Sequence, residues 1–176
     1  MNILTSVPVA IGLIVGILLC IVLFKYANRD HKAKTDYDER QKNLRNNAYR
    51  YAFYTIVIYE AIMIILDMGS VSLPMEHFLL HFGAIIAGGI VQVGYSIWND
   101  VYWGLNNDRK KYYIIFLVIF ILNAIPIIGS LLRGGMIVDG KLSTPFLNVL
   151  CEILILAVII ELFIKSLVDR REDQEA

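Results

Sequence analysis

Charge is scarce in this chain of 176 residues, of which Asp, Glu, Lys and Arg make up 18%, against about a quarter in an ordinary soluble domain. With 57% hydrophobic residues and a mean hydropathy of +0.61, that shortage argues against a soluble fold. Several chemistries lack their residues as well. There is no glycine loop ahead of a lysine to cradle phosphate, no G-x-S-x-G nucleophile and no paired-cysteine metal motif, so the common nucleotide, acyl-transfer and zinc-finger classes are set aside. No soluble stretch is long enough to house a cofactor, and none is expected. Cys20 and Cys151 are the two cysteines; they fall near opposite membrane faces, so they read as small apolar fillers and not as a bridge.

Five long apolar runs fill most of the chain: Ile3 to Phe24, Ala48 to Leu66, Phe78 to Trp98, Tyr112 to Leu132 and Phe146 to Val168. Each reaches the roughly 20 residues that cross a hydrocarbon core about 30 Å thick. The expected fold is therefore an all-α polytopic membrane bundle of five transmembrane helices. The first run has no basic residue ahead of it, its basic cluster follows it, and no small-residue cleavage site precedes Lys25. It reads as an uncleaved anchor.

Lys and Arg are unevenly placed: eight between Lys25 and Arg50, none between Asp67 and His77, three at 109–111, two at Arg133 and Lys141, and three from Lys165 onward. Placing the N-terminus outside and the C-terminus in the cytoplasm puts 14 of the 16 inside, as the positive-inside rule requires. The basic residues are shared among span ends and mixed with acids, which excludes a nucleic-acid surface. Tyr95, Trp98, Tyr102, Trp103, Tyr112 and Tyr113 bracket the second cytoplasmic loop, where amphipathic rings suit the headgroup level.

The first loop, residues 25–47, is the one charged segment of any length. Thr35 or Asp36, followed by Asp38 and Glu39, predicts a helix cap, and Asp36 to Arg40 and Asp38 to Lys42 are supportive acid-before-base pairs. A charged juxtamembrane helix should start near Asp36 and run into the second span. Its surface, with Asp36, Asp38, Glu39, Arg40 and Arg45, either touches anionic headgroups or docks a cytoplasmic partner. The run Tyr37-Asp38-Glu39-Arg40-Gln41, leading into Tyr49, Tyr51, Phe53 and Tyr54, resembles small multi-pass membrane proteins of low-GC Gram-positive bacteria known by domain-of-unknown-function labels. The resemblance implies a bacterial plasma membrane and supplies no catalytic residue.

Ionisable groups inside spans are costly and mark candidate sites. Glu60, His81 and Glu152 each lie seven residues from an outer boundary at Asp67, Pro74 or Pro145, about 10 Å deep. If their spans are neighbours they form a Glu, His, Glu cluster, with His77 one turn above His81, able to hold a cation or relay a proton. The alternative is a set of hydrogen bonds gluing helices together in lipid. The sequence HFLLH, residues 77–81, lacks the glutamate of a zinc protease. At about 100° per residue, His77, Gly88, Gln92, Tyr95, Ser96 and Asn99 fall within about 60° of His81, forming a polar stripe that either packs against a helix or lines a wet path.

Glu152 and Glu161 are nine residues apart and so half a turn out of phase. Their span should be sandwiched, unless Glu161 reaches the inner boundary or one acid faces a second copy in a homodimer. Lys165 is the nearest candidate partner of Glu161. Asn123, Pro126, Gly129 and Ser130 interrupt the fourth span and predict a kink, and Gly12 and Gly16 allow close helix contact in the first. The expected function is a non-enzymatic accessory that binds a heterologous membrane protein. The alternative is a small transporter or channel subunit using the Glu and His cluster.

Overall fold

The computed structural model describes residues 36–104 and 109–175, together with Leu18. The chain divides into two units, Met1–Asp36 and Tyr37–Ala176. The rest of the first apolar run, with Gly12, Gly16 and Cys20, and Thr35 lie outside the described residues. Within the second unit the fold is all-helical: α1 (Glu39–Met68), α2 (His77–Trp98), α3 (Arg109–Leu132) and α4 (Phe146–Glu175), with a hairpin of β1 (Ile137–Val138) and β2 (Lys141–Leu142) between α3 and α4. Three segments, Glu39–Met68, His77–Trp98 and Phe146–Arg171, are long and apolar enough to cross a membrane, and α3 adds the apolar stretch Phe116–Leu132. Large apolar side chains such as Ile65, Met68, Ile125, Leu132 and Phe163 face outward, as contact with lipid demands.

The helix at the start of the second run begins later than its charge pattern predicts. Asp38, not Thr35 or Asp36, is the N-cap of α1: its carboxylate accepts the Gln41 N–H at 2.6 Å, and Gln41 Oε1 accepts the Asp38 N–H at 3.3 Å. Residues 36–38 stay out of the helix while Tyr37 folds back onto Arg45, whose guanidinium donates to the Tyr37 hydroxyl at 2.7 Å and lies 4.2 Å from the ring centroid. Had the helix started at Asp36, these residues would stand about 12 Å apart along its axis. From Glu39 the helix runs unbroken through the juxtamembrane stretch into the apolar one.

Three helices stop on the same device, a residue in the left-handed region whose N–H, with the next, caps carbonyls of the last turn. Ser70 (φ 54°), Asp100 (φ 59°) and Gly134 (φ 67°) hold that position after α1, α2 and α3. The next residues close the motif: Val71 N–H donates to Leu66 O at 3.0 Å, Val101 to Ser96 O at 2.8 Å and Gly135 to Ser130 O at 2.9 Å. Helix α3 continues through Pro126 as one element.

Helix α2 packs against α1 and α4, and α4 also packs against α3. Glycines set the close approaches to α2: Gly88 lies under Ile56 and the Ala52 carbonyl of α1, and Gly89 meets Leu154 of α4. The buried cluster of Ile97, Val158 and Leu162, with Val93, Tyr102, Trp103 and Phe116 around it, joins α2, α3 and α4. At one end the β1–β2 hairpin turns through Asp139 (φ 51°) and Gly140 (φ 74°), the Asp-Gly pair favoured where both turn residues need positive φ. Leu142 N–H donates to Pro74 O at 2.9 Å and Leu142 O accepts from Glu76 N–H at 3.1 Å. The α1–α2 and α3–α4 connections therefore meet at one end, here called the hairpin end. The stem end carries the start of α1, the α2–α3 connection and the last turns of α4.

Candidate functional site

The interhelical polar residues divide between two seams. On the α1–α2 seam, His81 Nδ1 and Glu60 Oε2 are 2.8 Å apart, so two members of the anticipated cluster meet. The His81 side chain remains 51% exposed and that of Glu60 33%, which places the pair on the flank of the seam. His77 is elsewhere: it lines a small cavity of about 60 Å³ at the hairpin end with Met63, Asp67 and Lys141. Glu152 is buried to 7% exposure, and neither of its oxygens has a hydrogen-bond partner among the described residues. Among those residues no three His, Cys, Asp or Glu side chains come together as metal ligands.

The stripe on α2 runs along the α1 seam. His81 meets Glu60, Gly88 meets Ile56 and the Tyr95 ring lies 5.1 Å from that of Tyr51. Ser96 and Asn99 turn back on their own helix: Ser96 Oγ donates to Gln92 O at 2.7 Å and Asn99 Nδ2 to Tyr95 O at 2.8 Å. Such bonds satisfy a polar side chain locally where water is excluded. Gln92 is half-buried within the same stretch, and Asn123 is half-buried on α3.

Helix α4, which carries both acids, is sandwiched between α2 and α3. Glu161 abuts Gly94 of α2, where an added Cβ would lie 2.7 Å from Oε2. Its carboxylate thus lies against α2 of the same chain. Lys165 does not pair with Glu161. Its Nζ is 2.7 Å from Asp169 Oδ1 and 3.3 Å from Asp100 Oδ1, because Glu161 turns toward α2 while the left-handed turn at Asp100 delivers a second carboxylate to the stem end. Glu161 Oε2 has no hydrogen-bond partner among the described residues.

On the stem, residues proposed for docking have distinct duties. Asp38 caps α1. Arg45 ties its start to the end of α2, donating to Tyr37 Oη at 2.7 Å, Tyr49 Oη at 3.1 Å and Val101 O at 3.4 Å. Asp36, Glu39 and Arg40 are exposed.

The stem end also holds a cavity of about 370 Å³, which no sequence motif marks, bounded by the Lys165, Asp100 and Asp169 group, the rings of Tyr102, Trp103 and Tyr113, and the side chains of Ile97 and Leu162. The sequence signal for it was split. The rings read as a membrane-interface belt, Lys165 as a partner for Glu161, and Asp100 as a loop residue. No protein-family model, curated protein or solved structure matches this chain.

Proposed function

We propose that this chain is a five-span, non-enzymatic component of a bacterial plasma membrane that acts by binding another membrane protein. In this reading the first apolar run supplies the fifth span, the N-terminus is outside and the C-terminus cytoplasmic. The charge distribution supports that orientation, since the stem end carries Arg40, Lys42, Arg45, Arg50, Lys165, Arg170 and Arg171, while the hairpin end carries Arg133 and Lys141. The resemblance of the Tyr37–Gln41 run and the aromatic stretch after it to multi-pass proteins of Gram-positive bacteria supports the location.

The observation that carries the reading is the way the α2 stripe is spent. The polar line that might have bordered a permeation path is packed along α1, with Ile56, Tyr51 and Glu60 against it and Ser96 and Asn99 bonded to their own helix. A polar line spent on packing against α1 and on bonds to its own backbone serves the structure of the bundle. The exposed Glu39 and Arg40 then offer the partner a charged edge on the cytoplasmic stem. The test is mild-detergent purification of the tagged protein from its host, with mass spectrometry, beside a Glu39→Lys/Arg40→Glu variant. A stoichiometric membrane protein that the variant loses is expected. Recovery of an identical set with both forms would overturn the docking role.

A second reading is favoured by one observation, the buried Glu152 carboxyl without a hydrogen-bond partner among the described residues. A group of this kind in a membrane protein is a candidate relay for protons or cations. Ion flux in proteoliposomes that Glu152→Gln abolishes, with expression unchanged, would establish it over the accessory role.

A further inference from the structure

At the stem end the fold builds a pocket from three kinds of surface. Ile97 and Leu162, both buried, contribute apolar surface. Tyr102 and Trp103 stand edge to face with centroids 4.7 Å apart, and Tyr113 follows at 6.2 Å from Trp103. The charged part is Lys165, its side chain 17% exposed, held between Asp100 and Asp169. The volume of about 370 Å³ falls in the lower part of the roughly 300–1,000 Å³ range of small-molecule sites.

The sign of the ligand follows from the charge balance. Among the described residues that line the pocket, two carboxylates face one ammonium, a balance of one negative charge, and each aspartate commits Oδ1 to Lys165. An anion approaching the third ammonium proton of Lys165 would meet two carboxylates beside it. A cation meets carboxylate oxygen and the rings of Tyr102, Trp103 and Tyr113 within one pocket, the combination that recognises ammonium groups. We propose that this pocket binds an organic ammonium group, from either a free small amine or the amine headgroup of a membrane lipid. Asp100 is placed for this by the cap of α2: its left-handed φ of 59° turns the chain so that its carboxylate reaches Lys165 of α4.

The test uses the full chain in phosphatidylglycerol nanodiscs with Trp98→Phe, which leaves Trp103 as the remaining tryptophan of two. Titration with tetramethylammonium and with ethanolamine is expected to change Trp103 emission saturably. Asp100→Asn should weaken binding about tenfold through loss of charge. Asparagine tolerates the left-handed position, so the cap survives, and Asp169→Asn, within a regular helix, provides an independent charge removal. Nanodiscs containing phosphatidylethanolamine separate the two sources: weakened binding of soluble ammonium identifies the lipid headgroup as the occupant, and unchanged binding identifies a free amine. Absence of a saturable response, affinity equal to the parent's in both asparagine variants, or a response to inorganic phosphate in place of ammonium would overturn the proposal.

Discussion

Gly94 of α2 and Glu161 of α4 compete for one volume: a Cβ at the glycine would lie 2.7 Å from Oε2 and 2.9 Å from Oε1 of the glutamate. The obstructing atoms belong to the far end of a flexible side chain and can withdraw. At Gly88 the obstruction is firmer, since a Cβ would meet Ile56 Cγ1 at 2.7 Å and the backbone oxygen of Ala52 at 3.2 Å. Overpacking against such neighbours costs about 1–3 kcal/mol. Gly88→Ala should therefore lower the unfolding midpoint in detergent more than Gly94→Ala does, and Glu161→Ala should restore most of the Gly94→Ala loss. A reversed order would show that the α2–α4 contact is the stiffer one.

The Glu60 and His81 side chains, 2.8 Å apart, bridge α1 and α2 near the hairpin end. Interhelical polar pairs in membranes contribute about 0.6 kcal/mol on average and reach about 1.7. A double-mutant cycle with Glu60→Ala and His81→Ala should return a coupling energy within that span when unfolding is followed in micelles. A coupling indistinguishable from zero would show that the pair does not hold the seam.

Much of the architecture is legible in the sequence because apolar run length alone decides which segments become helices. Glu60 and His81 are legible as candidates to meet, from equal depth below the ends of adjacent spans, although depth alone does not decide their contact. Helix ends were less so. Two left-handed caps fall on Ser70 and Asp100, residue types that also occur in many other turn positions, and Gly69 stands one residue before the position where a glycine would have marked the stop. That Glu152 finds no hydrogen-bond partner among the described residues is hidden for a different reason: depth follows from counting residues, whereas rotation of one helix against another depends on packing. Lys165 was misassigned because two acids, Glu161 and Asp169, stand at four residues on either side of it, and the deciding third acid, Asp100, comes from another helix.

Arg45 joins the first turns of α1 to the α2–α3 connection through Tyr37, Tyr49 and the Val101 carbonyl. Its planar fork donates to several acceptors and its face lies over the Tyr37 ring, which the point charge of lysine does not reproduce. Arg45→Lys should destabilise the start of α1 by about 1 kcal/mol, seen as faster amide exchange over residues 39–49. Arg40→Lys, at an exposed position, should stay within about 0.5 kcal/mol of the parent. Equal exchange in the two variants would remove Arg45 as the tie.

Met75 and Leu142 form a parallel bridge between two connections distant in sequence. Backbones paired in this way run about 4.8 Å apart, inside the Cα separation of about 4.4–6.8 Å that a disulfide spans. With Cys20 and Cys151 replaced by alanine, the Met75→Cys/Leu142→Cys protein should cross-link under mild oxidation and migrate as a compact monomer. Failure to cross-link, or cross-linking only between chains, would contradict the meeting of the two loops.

The same cysteine-free background tests which end faces outward. Val138 is an exposed strand residue of the hairpin, a better labelling position than Asp139, whose φ of 51° strains most side chains. Arg171 is exposed at the opposite end. A membrane-impermeant maleimide applied to intact cells should label Val138→Cys at once and Arg171→Cys only after lysis, because 14 of the 16 basic residues then lie inside. The opposite pattern would invert the topology while leaving the bundle intact. Labelling of both positions in intact cells would place the two ends on one side, which is incompatible with the helices α1 to α4 as successive crossings.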